Sequence, residues 1–310
     1  MSRIQWDGLP EGVRRQVLEG LNARPAEVQG VRFPQGGFTS GLVCIIDTAV
    51  GSYFVKAMHE SSPPDSLALI RDEILVLSRT VQSYPMPSLV HTVERSGWIV
   101  LVTEAVPGVP LDQRVDEAGL VAALDALVVL RERVVAQTDQ LPRVAARYEG
   151  LLSHVPDMLR RWPELAGRVS PVEVSARAER AVAAASAGDE LVHGDLRGDN
   201  VLVEASGRAW LVDWAWGCRG QAWVDAVTLM SSAREVDPQR RWELLTGHRV
   251  REHATNGTLH GYVDAIAAMY DWAGRRPAPP GLPSLRPWQR EQARIAMDLS
   301  LAATRDTESI

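Results

Sequence analysis

The chain reads as an α+β protein, sheet first and helices second. Apolar strand-like runs at Leu42–Ile46, Tyr53–Ala57 and Trp98–Val102 lie in the first third of the chain, helical periodicity dominates from Leu120 onward, and Val106-Pro107-Gly108-Val109-Pro110 interrupts regular structure between them. Strands and helices that are segregated along a chain make two layers rather than alternating βαβ units. The boundary is placed at Val106, giving an N-terminal sheet lobe of residues 1–106 with one packed helix and a mainly helical lobe of residues 107–310.

Each element has its own signal. Val13, Val17, Leu18 and Leu21 recur at helical spacing, predicting a leading helix over Pro10–Leu21. Leu42–Ile46 and Tyr53–Ala57 read as strands joined by a turn containing Gly51. Asp65 or Ser66 can cap a helix running to about Val81, with Leu69, Ile70, Ile74, Leu77 and Val81 on one face. Trp98–Val102 is another strand. Leu120 to about Ser186 is helical, and Ser170-Pro171-Val172-Glu173 has capping-box spacing with proline at the first helical position. Val201–Glu204 and Ala209–Val212 form a hairpin across the turn Ala205–Arg208. Further helices follow over Ala222–Arg234, Trp242–His253, Leu259–Trp272 and Trp288–Ala303.

Composition narrows the function. The 310 residues suffice for two lobes, and 45% hydrophobic content can fill a large core. A formal net charge of −6 argues against a nucleic-acid partner, which calls for basic excess. It suits a cationic small molecule, and neutral substrates equally. The two cysteines, Cys44 and Cys218, make neither a disulfide scaffold nor a four-cysteine zinc site and read as buried free thiols. The first residues lack the apolar core of a signal peptide, and the nearest approach to a membrane span, Gly119–Leu130, contains Asp125. A cytoplasmic protein without membrane contact is expected. There is no internal repeat, and Arg276–Pro287 is proline-rich. Neither a P-loop nor a strand-linked Gly-x-Gly-x-x-Gly occurs.

The chemistry concentrates in Leu191-Val192-His193-Gly194-Asp195-Leu196-Arg197-Gly198-Asp199-Asn200, followed by Leu211-Val212-Asp213-Trp214. In an antiparallel hairpin the start of one strand lies beside the end of its partner, so Asn200 and Asp213 meet. Asp195 stands on the loop leading in. That arrangement holds a divalent cation beside a carboxylate able to accept a proton. The pattern His-x-Asp-Leu-x-x-x-Asn then Asp-aromatic is close to the protein-kinase signature set, with Gly194 in place of arginine and Trp214-Ala215 in place of Phe-Gly. In the form HGDL…N…VDW it resembles the aminoglycoside phosphotransferase and choline kinase-like family.

That resemblance covers about Phe33 to Asp225. It implies a bilobal protein-kinase-like fold, ATP as phosphoryl donor and Mg²⁺ as its partner ion. Asp195 becomes the catalytic carboxylate, and Asn200 and Asp213 the metal ligands. Arg197 takes the place of a phosphate-contacting lysine; the alternative is a solvated loop charge. His193 is implied to be structural, bonded to backbone near Asp213, and Asp225 to brace the catalytic loop. Asp199 is expected to face solvent.

The N-terminal lobe supplies the nucleotide residues. Gly36, Gly37 and Ser40, within Gly36-Gly37-Phe38-Thr39-Ser40-Gly41, let backbone amides approach phosphate; a plain hairpin turn is the other reading. Lys56 lies on an apolar strand, and an inward charge there needs a carboxylate. Glu73 is preferred over Glu60 and Asp72 because it adjoins the Ile70 and Ile74 face. The resemblance assigns Lys56 to the phosphates and Glu73 to the ion pair that orients it, and gives the Glu104 carbonyl and Val106 amide to the adenine.

The acceptor is then a hydroxylated small molecule, an aminoglycoside or related antibiotic first. The alternatives are choline, homoserine, a sugar or a peptide Ser/Thr, and, outside enzymes, a nucleotide-binding pseudokinase scaffold. Asp264 and Asp271, seven residues apart on one predicted helix, are candidates for holding ammonium groups or, equally, a solvated face. Ala215 departs from the acidic residue that relatives often carry there, so Trp214-Ala215-Trp216 is expected to form an apolar wall near the metal.

Overall fold

The computed structural model describes residues 4–34, 41–80, 84–113, 116–133, 137–162, 170–279 and 282–308. A first helix, α1 (Glu11–Gly20), precedes five antiparallel strands: β1 (Val28–Arg32), β2 (Leu42–Thr48), β3 (Gly51–His59), β4 (Leu89–Arg95) and β5 (Trp98–Glu104), ordered β1-β2-β3-β5-β4. Helix α2 (Pro64–Ser78) lies between β3 and β4 in sequence.

Side-chain alternation explains how this sheet serves two cores. On one face Cys44, Ile46, Val55, Ala57, Val100 and Val102 pack with Val13, Val17 and Leu18 of α1. On the other, Met58, Ile99 and Leu101 join Ile70 and Leu77 of α2 and run into the core of the helical part. Successive residues of a strand point to opposite faces, so β5 is buried at nearly every position because both faces are covered. Lys56 is in phase with Met58 and therefore points to the α2 side.

After β5 a short strand β6 (Val109–Pro110) leads into the helical part. Helices α3 (Glu117–Arg133), α4 (Val155–Arg161) and α5 (Pro171–Ser186) precede β7 (Glu190–Val192), the hairpin β8 (Val201–Val203) and β9 (Ala209–Leu211), and β10 (Cys218–Gly220). Helices α6 (Trp223–Met230), α7 (Pro238–Gly247), α8 (Asn256–Gly274) and α9 (Leu285–Glu308) complete the chain. β10 pairs with β7, and β6 pairs with β8 to form a three-stranded sheet with β9. The segment joining sheet and helices is thus hydrogen-bonded to the motif hairpin. Among the described residues no helix is long and apolar enough to cross a membrane.

Several expectations are corrected. Helix α2 begins at Pro64 behind Pro63, not at an Asp65 or Ser66 cap, and ends at Ser78, short of Val81. Proline fixes φ near the helical value and its missing N–H costs nothing in the first turn. Ser170 does stand at the N-cap of α5 with Pro171 next, but its side chain makes no capping bond. The region from Leu120 to Ser186 is not continuous helix: 3-10 turns at Thr138–Gln140, Val144–Arg147 and Leu152–His154 separate α3 from α4. The edge strands β1 and β4 are only partly buried, and their residue types do not alternate with their faces, Val90 being exposed and His91 half-buried, so the sequence did not announce them. Cys44 and Cys218 are buried free thiols, their pKa values pushed up by burial to about 12 and about 11.

Candidate active site

The hairpin forms with the register its pattern predicts. Val201 pairs with Leu211, Leu202 with Trp210 and Val203 with Ala209. Beyond the last pair, the Val212 N–H donates to the Asn200 carbonyl at 3.0 Å, which brings the two ends of the ribbon together. The chain then turns sharply, with Asp213 at φ 63°. That left-handed conformation costs about 1–3 kcal/mol for a residue other than glycine; aspartate is among the side chains that tolerate it. The turn places the carboxylate beside the sheet lobe: Lys56 Nζ donates to Asp213 Oδ1 at 2.9 Å and to Glu73 Oε2 at 2.8 Å. Of the three carboxylates weighed for Lys56, Glu73 is the one in contact.

The electrostatics of this trio follow from burial and spacing. Burial opposes the Lys56 charge, yet Asp213 and Glu73 outweigh it and raise the ammonium above its ordinary range. For Asp213, desolvation favours the neutral acid, but Lys56 holds the carboxyl below its usual range. Glu73 is raised, because it is almost wholly buried and shares its cation with Asp213. Asp213 differs from Glu73 in leaving 46% of its side chain exposed. Its Oδ2 makes no hydrogen bond or ion pair among the described residues.

The catalytic-loop candidates are fixed mostly through backbone. Asp225, fully buried on α6, accepts the His193 N–H at 2.7 Å and the Gly194 N–H at 2.8 Å. Burial raises its carboxyl above the usual range even against those two donors. His193 donates from Nε2 to the Val212 carbonyl at 2.8 Å, and its Nδ1 accepts the Asp195 N–H at 3.3 Å. Both ring nitrogens are therefore committed to backbone. Burial holds the imidazole below its usual range, so it is a neutral strut between loop and hairpin rather than an acid or base. Gly194 adopts φ 78°, and a Cβ there would lie 2.5 Å from the Trp216 carbonyl and 2.8 Å from Arg147, which no side chain permits.

Asp195 retains 22% of its side-chain surface. Burial raises its carboxyl above the ordinary aspartate range, with Arg197 opposing. Arg197 Nη1 donates to Asp195 Oδ1, while Nε and Nη2 bond Asp199 at 3.1 and 2.9 Å. The guanidinium also lies over the Trp288 ring, 4.9 Å from its centroid. Arg197 is thus not a solvated loop charge, and Asp199 is not a free solvent carboxylate but half of that pair. Asn200 donates from Nδ2 to the Asp195 carbonyl at 2.9 Å.

The oxygen set left over fits a hard divalent cation. Asn200 Oδ1 and Asp213 Oδ2 are both oxygen donors, and Mg²⁺ takes few protein ligands, completing its shell with water and phosphate oxygens. Among the described residues no group of three or more His, Cys, Asp and Glu side chains could hold a metal ion.

The other expected positions divide. Gly36, Gly37 and Ser40 lie outside the described residues. At the end of β5, the Glu104 side chain accepts the Ser88 N–H and hydroxyl at 3.0 and 3.2 Å, and its carbonyl accepts the Thr103 hydroxyl at 3.1 Å. The half-buried Val106 amide makes no hydrogen bond with the described residues, leaving a backbone donor at the hinge. Asp264 and Asp271 are corrected: neither is solvated and neither is available. Asp264 is 1% exposed and accepts from Arg177 at 2.7 Å and Ser300 at 2.6 Å. Asp271, 9% exposed, is held by Arg161 and by Arg275 at 3.0 Å. The expected apolar wall is also revised. Trp214 is fully buried against His193, with ring centroids 4.6 Å apart, and only Trp216 reaches the surface.

Arg147 went unremarked in the sequence. It donates to the Gly194 carbonyl at 2.9 Å and covers the Trp216 ring at 4.7 Å. It arrives from a 3-10 turn far from any motif, so no local pattern marks it.

Comparison with known proteins agrees with this geometry. Residues 30–278 match the model of the phosphotransferase enzyme family, and the chain belongs to that family. It is a small-molecule phosphotransferase acting on a hydroxyl group. No curated protein sequence matches it. Similar solved structures include an aminoglycoside phosphotransferase from Alicyclobacillus acidocaldarius, with TM-score 0.59, 13% identity and 97% of each chain covered. Spectinomycin phosphotransferase, solved with ADP and spectinomycin, gives TM-score 0.56 at 14% identity over 93% of this chain and 98% of that one. A thermostable mutant of an aminoglycoside phosphotransferase, solved with ADP and hygromycin B, gives 0.53 at 15% identity over 95% and 98%. At these identities the likeness establishes the fold, a bilobal protein-kinase-like α+β architecture.

Proposed function

We propose that the protein transfers the γ-phosphoryl group of ATP to a hydroxyl of an aminoglycoside or a related hydroxylated small molecule. One observation carries this reading: Lys56 of the sheet lobe joins Glu73 and Asp213 at 2.8 and 2.9 Å, beside the loop that bears Asp195 and Asn200. Such a cation, fixed by one buried carboxylate and one exposed one, suits the phosphates of a nucleotide. On this reading the lobes divide near residues 106 and 107, the Val106 amide and Glu104 carbonyl serve the base, and Gly36, Gly37 and Ser40, which lie outside the described residues, serve the phosphates.

Phosphoryl transfer asks for positioning and charge neutralisation more than for covalent chemistry. Asp195 orients the acceptor hydroxyl and takes its proton as the new O–P bond forms and the bond to ADP breaks. Asn200 Oδ1 and Asp213 Oδ2 would hold Mg²⁺, which neutralises phosphate charge when bound. Lys56 holds the phosphates, and Glu73 keeps Lys56 in place. Arg197, now forked between Asp195 and Asp199, has the planar donors to meet the transferring group.

The test is a panel of hydroxylated acceptors, including spectinomycin, streptomycin, hygromycin B, choline and simple sugars, incubated with ATP and Mg²⁺ and read by mass. One added phosphate on an acceptor, absent with Asp195→Ala, is expected. Nucleotide binding with no transfer to any of them, in a protein that is folded, overturns the proposal.

A further inference from the structure

The backbone on either side of Asp195 is held by motif residues, with one exception. Asp225 accepts the His193 and Gly194 N–H groups, His193 Nδ1 accepts the Asp195 N–H, and Asn200 Nδ2 donates to the Asp195 carbonyl. The Gly194 carbonyl is met from outside the motif. Arg147 Nη1 donates to it at 2.9 Å, across 47 residues of sequence.

That bond has a geometric consequence. A peptide unit is planar and stiff, so a partner on its carbonyl and another on its N–H together fix its rotation. The Gly194–Asp195 unit is held in this way, by Arg147 on the carbonyl and His193 on the N–H. Restraint matters at this point because Gly194, at φ 78°, has the backbone most free to leave its conformation. The plane of the unit sets φ of Asp195, and with it the direction in which the carboxylate points.

Arg147 is itself placed for the task. It ends the 3-10 turn Val144–Arg147; Arg143, just before the turn, bridges Arg219 of β10, whose N–H donates to the Pro142 carbonyl at 2.9 Å. β10 pairs with β7, the strand that runs into the catalytic loop, so turn and loop share one small sheet. The guanidinium fills the space that a side chain at position 194 would take: a Cβ there would lie 2.8 Å from Nη2 and 2.9 Å from Cζ. Arg147 is half-buried, and burying a charge without a countercharge is costly. Yet it forms no ion pair among the described residues and instead meets the Gly194 carbonyl, the Trp216 ring at 4.7 Å and the buried Cys218 thiol. A charged donor makes a bond about twice as strong as a neutral one, and the indole face fixes the plane of the guanidinium.

We propose that Arg147 is a positioning residue for phosphoryl transfer: it locks the Gly194–Asp195 peptide and, through it, the aim of the Asp195 carboxylate at the acceptor hydroxyl, with Trp216 holding the guanidinium in place. This rests on the reading of Asp195 as the group that takes the hydroxyl proton. Arg147 bonds no member of the Lys56 cluster, so its loss impairs turnover and spares nucleotide binding.

The test is NMR on the full chain carrying carbonyl-13C glycine and 15N aspartate. Three peptide units then hold both labels, Gly188–Asp189, Gly194–Asp195 and Gly198–Asp199. Asp195→Asn identifies the second by removing its signal. In Arg147→Met the Gly194–Asp195 signal is expected to shift while the other two stay. Hydrolysis of Mg-ATP, with water standing in for the acceptor, is expected to fall at least about tenfold, at unchanged affinity for Mg-ADP. Arg147→Lys, which keeps a charged donor, restores the signal and most of the rate. Arg147→Gln, polar but shorter and uncharged, behaves as Arg147→Met does and takes its place if that variant folds poorly. A Gly194–Asp195 signal indifferent to the loss of Arg147, a shifted signal with full turnover, a defect that Arg147→Lys does not relieve, or a fall in Mg-ADP affinity that matches the fall in rate overturns the inference. Hydrolysis that is absent in the parent, or that survives Asp195→Ala, would instead count against the reading of Asp195, and the carbonyl signal still decides whether Arg147 holds the loop.

Discussion

Lys56 Nζ donates to Asp213 Oδ1 across 157 residues of sequence, 2.9 Å apart, and so ties the sheet to the motif hairpin. The same ammonium is held by Glu73 from α2. One cation therefore sets the position of two carboxylates from different parts of the chain.

Lys56→Met removes that cation. The affinity for Mg-ADP is expected to fall at least about tenfold, measured by calorimetry. Stability should also become pH-dependent. Without Lys56, burial and Asp213 raise the folded-state pKa of Glu73 further above its unfolded value. Protonated Glu73 needs no partner, so the variant is most stable below the unfolded pKa and loses stability as pH rises through the folded one. Denaturant midpoints that fall from pH 5 to pH 8 more steeply than in the parent would show this; parallel curves would refute it.

Asp195→Ala and Asp213→Ala should fail in different ways. Asp195 touches no group of the Lys56 cluster, so its loss abolishes transfer while leaving Mg-nucleotide affinity nearly intact. Asp213 supplies the exposed oxygen, so its loss weakens nucleotide binding itself. Binding isotherms beside transfer rates separate the two, and matching defects would place Asp195 in the nucleotide site.

The acid limb of activity should move with Arg197. Burial raises the Asp195 pKa and Arg197 lowers it. The carboxylate is the working form, so activity is lost as pH falls through a pKa above the ordinary aspartate value of ~3.9. Arg197→Met removes the opposing charge and should shift that limb to higher pH, alongside any loss of rate. A limb that stays put would show that another group controls it.

Asp225 tests the scaffold. Its two oxygens satisfy the buried N–H groups of His193 and Gly194. Asp225→Ala leaves both unpaired, at ~1–3 kcal/mol each, offset in part by no longer burying a carboxylate. A net loss of ~2–4 kcal/mol by urea unfolding is expected, with Asp225→Asn intermediate because one acceptor oxygen remains. A loss under ~0.5 kcal/mol, the range of an ordinary surface substitution, would remove its bracing role.

Much of this was legible without coordinates because it is local. The hairpin follows from two apolar segments across a glycine turn, and the strands β2, β3 and β5 from apolar runs. The choice of Glu73 over Asp72 followed from helical phase: Glu73 shares the buried side with Ile70, and Asp72 points outward. Edge strands β1 and β4 escaped notice because a strand with one open side does not need a strict pattern.

The sequence by itself determined which residue types stand at which spacing, and with them the family and the chemistry available. Only the folded chain decided who meets whom over distance: that Arg197 is drawn onto Asp195, that Asp264 and Asp271 are consumed by arginines, and that Arg147 caps Gly194. Short-range periodicity fixes the direction of a side chain relative to its own helix or strand. Ion pairs and cavities depend instead on how separate elements pack, and opposite charges far apart in sequence leave no periodic trace.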